Sequence, residues 1–172
     1  MQVASARLVA ALVAGAVAVG VSPLSSSPAE ARLWAVPRTS AQSDVQADLD
    51  AFEDGVMVEV NAARAAAGRR KIRFYDSCVD RLAEKWSARI VATGTLAHRN
   101  QNEVLRRCGQ SWAGEDLVRG VSLTPAVVVQ AWMDSPAHRA ILLKKRASRA
   151  GVAVGVDAQG RYVGVLNVAD PR

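Results

Sequence analysis

Apolar residues recur at steps of three and four from Asp44 onward: Val45, Leu49, Phe52, Val56 and Val60 form one stripe of a helix that needs burial. Ser43 stands in front of this run as an N-cap, acids occupy its first turns, and Gly68 is the C-cap candidate. A second and clearer helix opens at Asp76. Val79, Leu82, Ala83, Trp86 and Ile90 share one side, Glu84, Lys85 and Arg89 lie off it, and Gly94 stops it. The polar loop AHRNQNEVLRRCGQ and the short segment SWAGEDLVRG follow. Thr124-Pro125 is a strong helix start, with Val127, Val128, Ala131 and Trp132 on the apolar side of the helix it opens. Ser135-Pro136 repeats the signal for a short helix ending near Leu143. The period then changes to two: Gly151–Val156 and Arg161–Val168 alternate around the turn Asp157-Ala158-Gln159-Gly160, which predicts a closing hairpin. Helices first and antiparallel strands last predict an α+β layered domain.

The first 31 residues follow another logic. Arg7 precedes an uninterrupted run of Leu, Val, Ala and Gly over 8–21, which at 1.5 Å per residue is too short to span about 30 Å of hydrocarbon. Pro23, Pro28 and the small-x-small string Ala29-Glu30-Ala31 complete a signal peptide over 1–31 with cleavage near Ala31. Residues 32–43 read as a flexible lead-in and 44–170 as the folded domain. The expected product is secreted, to the outside or the cell envelope, with no transmembrane segment in the mature chain, and it is expected to be a monomer.

The 172 residues are 50% hydrophobic and 22% charged, an ordinary globular balance with room for one domain. The net charge of +6 suits an anionic envelope surface. Scattered cations, 5% aromatics and secretion speak against a nucleic-acid partner. Lys144-Lys145-Arg146 with Arg149 follow a helix end, where cations offset exposed carbonyls, and read as structural. The two cysteines, Cys78 and Cys108, pair by default in an oxidising compartment, stabilising the fold by about 3 kcal/mol and tethering the loop that follows His98.

His98 and His138 are the chain's two histidines. His138 falls at N3 of the short helix, where partial positive charge favours the neutral ring, the form that ligates metal. Ser135 reads as that helix's cap, its hydroxyl accepting a backbone N–H, and this commitment disfavours a Ser135–His138–Glu115 hydrolytic triad. Asp116 and Asp134 read as loop or capping residues.

Taken in order, Asn61-x-x-Arg64, Leu96-Ala97-His98, Gly114-Glu115-Asp116-Leu117, the string Trp132-Met133-Asp134-Ser135-Pro136-Ala137-His138-Arg139-Ala140-Ile141-Leu142, and Ala150-Gly151-Val152-Ala153-Val154-Gly155 form a pattern. It resembles the bacterial secreted branch of the CAP superfamily, or SCP domain, over roughly residues 45–168. The resemblance implies an α-β-α sandwich, a three-stranded antiparallel sheet flanked by helices, with SWAGEDLVRG as the third strand. It also implies a surface cleft in which His98, His138 and Glu115 hold zinc or another divalent cation weakly. Two positions depart from the pattern. Asp116 stands where an asparagine usually follows the glutamate, adding a negative charge near the cleft, and Ser135 stands where eukaryotic members carry a second glutamate. The expected function is a non-catalytic binding module with an unidentified envelope, lipid or protein ligand. A metal-dependent extracellular hydrolase of peptides, esters or glycans is the alternative, its metal-bound water brought to a pKa of about 7.

Overall fold

A computed structural model of the chain describes residues 39–172. The expected signal peptide and residues 32–38 of the lead-in lie outside the described residues. Helix α1 (Ser40–Ala66) begins four residues earlier than its periodicity suggests. Thr39, not Ser43, is its N-cap, because Thr39 and Gln42 close a reciprocal capping box. Its end is as expected. Gly68 takes φ +66°, and the N–H groups of Gly68 and Arg69 return to the carbonyls of Ala65 and Arg64, a Schellman closure.

The sheet is reached through a two-residue strand, β1 (Phe74–Tyr75). Helix α2 (Ser77–Thr93) is capped by the Asp76 carboxylate, which accepts from the N–H groups of Cys78 and Val79, and it stops at left-handed Gly94. A short helix, α3 (Asn102–Arg107), lies inside the expected polar loop, followed by strand β2 (Gln110–Gly120). Helices α4 (Pro125–Asp134) and α5 (Pro136–Leu142) start at the two Xaa-Pro signals. Strands β3 (Arg149–Val156) and β4 (Tyr162–Pro171) form the closing hairpin.

The strand order is β1-β3-β4-β2, with three long antiparallel strands and β1 added in parallel to the start of β3. Alternation along each strand sends side chains to opposite faces. One face carries Val152, Leu166 and Val168 into a core shared with Val56, Val60, Val128, Trp132 and Leu142 of α1, α4 and α5. The other carries Leu117, Ala153, Val163 and Val165 against Ala83 and Ile90 of α2. The result is the expected helix–sheet–helix sandwich.

Helix α2 crosses so close that a Cβ on Gly151 would lie 2.3 Å from the backbone of Asp80, so only glycine fits there. Two helical faces differ from expectation. In α4 the buried residues are Val128, Val129 and Trp132, while Val127 is half exposed, because the Trp132 indole must reach the Leu117 carbonyl and so sets the helix rotation. In α1, Val45 is exposed, because burial starts only at Val56, where the helix meets the sheet and α4. Among the described residues, no helix is long and apolar enough to cross a membrane.

The early Asn61 and Arg64 are both structural. Asn61 exchanges two hydrogen bonds with the backbone of Ile72. Arg64 is fully buried and donates to four backbone carbonyls, those of Arg70, Leu142, Lys144 and Ala147. Three of these belong to the end of α5 and the turn after it, where unsatisfied carbonyls carry partial negative charge.

Candidate functional site

Strand β2 pairs with β4 along one side only, and both α3 and α5 pack against it. Glu115 sits at its middle, opposite Asn167, on the face covered by α2. His98 comes from the segment between α2 and α3, and His138 from the first turn of α5. The fold brings the three together: His98 Nδ1 is 2.9 Å from Glu115 Oε1, and the imidazole centroids are 6.5 Å apart, tilted by 47°.

The segment carrying His98 is held by its neighbours rather than by its own secondary structure. The Trp86 indole donates to the Ala97 carbonyl at 2.9 Å. Arg99, although adjacent to an exposed histidine, is only 6% exposed. Its guanidinium donates to the Leu82 carbonyl on α2 and to Glu103 on α3, and it lies 5.4 Å from the centre of the Trp86 ring. Its backbone N–H donates to Glu115 Oε1 at 3.0 Å. Glu115 Oε1 therefore serves two donors from consecutive residues, and His98 is fixed between a clamped arginine and a clamped carbonyl. The Cys78–Cys108 disulfide, its Cα atoms 5.5 Å apart, closes the segment that contains α2, His98 and α3.

Burial dominates the electrostatics. It pushes the Glu115 carboxyl up, against the opposing pull of the Arg99 N–H and of His98. His138 is pushed down, first by burial and then by the neighbouring His98, so it stays neutral further into acid than a free histidine. Asp116 is pushed to about 8, again by burial first and Glu115 second.

Two sequence expectations change here. Asp116 is not a loop or capping residue: it is fully buried in mid-strand, opposite Leu166 and hence on the sheet face away from Glu115. It points away from the cleft, and burial pushes its carboxyl up to about 8. Ser135 occupies the N-cap position of α5, but its hydroxyl makes no capping bond. Among the described residues no group of three or more His, Cys, Asp or Glu side chains is set as for a metal ion. Asp134 is exposed and accepts from Gln130, as a surface acid would.

Arg99 and Trp86 are the positioning residues that sequence reading missed. The acid-first, base-last order of Asn102–Arg107 was the available signal for α3, and with it for the partner that buries Arg99.

The profile of the cysteine-rich secretory protein family, CAP, matches residues 58–168. No curated protein matches the sequence. Among solved structures, an outer surface protein of Borrelia burgdorferi superimposes with a TM-score of 0.60 at 16% identity, over 68% of this chain and 90% of that one. A cysteine-rich secretory protein of Staphylococcus aureus gives 0.54 at 15% identity, over 70% of this chain and 38% of the other. Venom allergen-like protein 4 of Schistosoma mansoni gives 0.55 at 10% identity, over 70% and 89%. At such identities the likeness is one of fold.

Proposed function

Because the chain belongs to the cysteine-rich secretory protein (CAP) family, we propose that it is an exported, non-catalytic binding module whose site is the cleft between His98 and His138, with a divalent cation held weakly there. The observation that carries this reading is the approach of the two rings to 6.5 Å with a buried carboxylate behind one of them. Glu115 Oε1 already accepts from the Arg99 N–H, and a neutral His98 donating to the same oxygen from Nδ1 would offer Nε2 as a lone pair. A carboxylate behind the non-ligating nitrogen is how metal-binding imidazoles are oriented. In this reading His98 and His138 are the ligands, and Glu115 serves as the orienting acid in place of a third ligand.

The fit is close but open. Two imidazoles on one tetrahedral zinc have centroids about 5 Å apart, so an inward shift of about 1 Å is needed. The His98 side chain is 57% exposed and has room for it. A bound cation would supply positive charge and open positions for an oxygen-bearing ligand.

Binding is favoured over turnover by the chemistry of the surrounding residues. The Glu115 side chain is 1% exposed, with Oε1 shared by His98 and the Arg99 N–H, and such enclosure keeps it from reaching a substrate as a general base. Ser135 has no base hydrogen-bonded to its hydroxyl among the described residues. Export is supported by the Cys78–Cys108 disulfide, a bond that persists in oxidising compartments.

Zinc titration of the full chain tests the site. His98→Ala and His138→Ala should each weaken binding about tenfold or more. Affinity should also fall in acid, as ligand imidazoles must be neutral, and the contribution of His138 should be lost only below the range of a free histidine. Wild-type affinity in both variants would remove the cleft from consideration.

A further inference from the structure

The sequence contains two stretches without a single acid, residues 60–75 and 135–156. The first carries Arg69, Arg70, Lys71 and Arg73 in the turn after α1; the second carries Lys144, Lys145 and Arg146 in the turn after α5. All seven side chains are exposed. Read along the chain, the second group looks like compensation for a helix end. In space it adjoins the first. The buried Arg64 guanidinium binds the Arg70 carbonyl on one side and those of Leu142, Lys144 and Ala147 on the other, so one side chain stitches the two turns together. The β1–β3 pairing of Phe74 with Arg149 closes the seam from below.

Between the turns lies an open cavity of about 340 Å³, lined by Arg70, Lys71, Arg73, Ala147 and Ser148. Among the described residues, Arg69, Arg70, Lys71 and Arg73 have no carboxylate within ion-pair distance. One acid reaches the rim: Asp170, 3.9 Å from Arg146 and accepting from the Ser148 hydroxyl. Lys144 and Arg146 stand over the Trp112 ring at 5.3 and 5.9 Å, which holds two rim cations in place.

We propose that this basic face docks a linear phosphate-bearing polyanion, one phosphate in the cavity and its neighbours along the Lys144–Arg146 rim. Like charges held together at a fixed separation by a buried cross-link are unfavourable on their own and become favourable when a polyanion releases its counterions on binding them. The face has no apolar wedge for a bilayer, since no exposed large hydrophobic residue lies in either turn. Its aromatics do not form a stacking row: Tyr75 lies on β1 beyond the turn, and the Trp112 ring is engaged by Lys144 and Arg146, which disfavours single-stranded nucleic acid. A flexible phosphate polymer needs neither.

The test is fluorescence anisotropy of labelled inorganic polyphosphate with the full chain. Arg70→Glu/Lys71→Glu and Lys144→Glu/Lys145→Glu should each weaken binding about tenfold or more, and wild-type affinity should fall about tenfold between about 50 and 200 mM salt. Lys85→Glu/Arg89→Glu, the same charge change on α2, should have much less effect. Should a reversal fail to fold, the Arg70→Gln/Lys71→Gln and Lys144→Gln/Lys145→Gln pairs are read instead, with a smaller loss expected at the same two places. Competition by poly(glycerol phosphate) identifies a phosphodiester polymer as the source, and its failure identifies polyphosphate itself; either supports the proposal. Equal weakening by all three reversals overturns it, as does unchanged binding. Tighter binding to phosphatidylglycerol vesicles or to oligo(dT) than to polyphosphate, at equal phosphate, overturns it as well.

Discussion

The Nδ1 atom of His98 and the Oε1 atom of Glu115 stand 2.9 Å apart, joining a ring that is mostly in water to a carboxylate whose side chain is 1% exposed. The carboxylate is expensive to bury, and its raised pKa records that cost. Glu115→Gln removes the charge while keeping an oxygen that can accept from the Arg99 N–H. Zinc affinity should fall about 10- to 100-fold as His98 loses its orienting partner. The melting temperature at pH 7 should hold or rise, because a buried charge has gone. Calorimetric titration and thermal denaturation of the same sample check both halves. Undiminished affinity would mean that Glu115 does not orient the ring.

Arg64 makes a contrasting case. Its guanidinium is fully buried with no carboxylate beside it, and burial together with Arg69 and Arg70 pushes its pKa down. What holds it is the set of four carbonyls. Arg64→Met keeps the bulk and orphans those acceptors, so it should cost about 3 kcal/mol or more. Arg64→Lys should recover only part of this, since one ammonium cannot span four acceptors set out for a planar fork. Denaturant midpoints of the two variants measure the difference.

Where local chemistry is self-contained, the sequence was readable. Asp76, Thr124-Pro125 and Gly94 each announce a helix boundary through a bond made within a few residues, and all three boundaries stand where expected. The two histidines and Glu115 were legible through a family pattern, and their meeting is geometry that the pattern carries. What escaped depends on distant partners. Six-residue α3 is too short to show a period, and its worth lies in burying Arg99. Asp116 sits in a GED string that reads as a polar turn, yet strand alternation turns it into the core. The basic turns after α1 and α5 are some seventy positions apart, and nothing local says that Arg64 joins them.

The disulfide separates stability from site geometry. Cys78→Ser with Cys108→Ser opens a loop with a sequence separation of 30, which should cost about 3–4 kcal/mol. The His98 segment nevertheless keeps its own anchors, the Trp86–Ala97 bond and the Arg99 clamp. Zinc affinity measured well below the melting temperature should therefore change by no more than about threefold. A loss as large as that of His98→Ala would show instead that the bridge is what positions the ring.

Beyond its short pairing with β1, strand β3 has an open side, and α1 and α2 cover it with carboxylates. The N–H of Val154 donates to Glu53 at 2.7 Å, and that of Val152 to Asp80 at 3.1 Å. Such caps keep an edge strand from pairing with another chain. Glu53 is pushed from 4.5 to about 7, chiefly by burial, with the nearby acids Asp50, Asp80 and Glu84 adding to it against the Val154 bond. Because the folded value lies above the unfolded one, the native state binds the extra proton, and stability falls as pH rises between about 4.5 and 7. Glu53→Gln keeps an acceptor for Val154 and cannot ionise. The variant should match the wild type near pH 5 and melt higher near pH 8, by about 3 °C or more. Thermal melts across that range check it, and a difference independent of pH would mean that Glu53 does not change its protonation with folding.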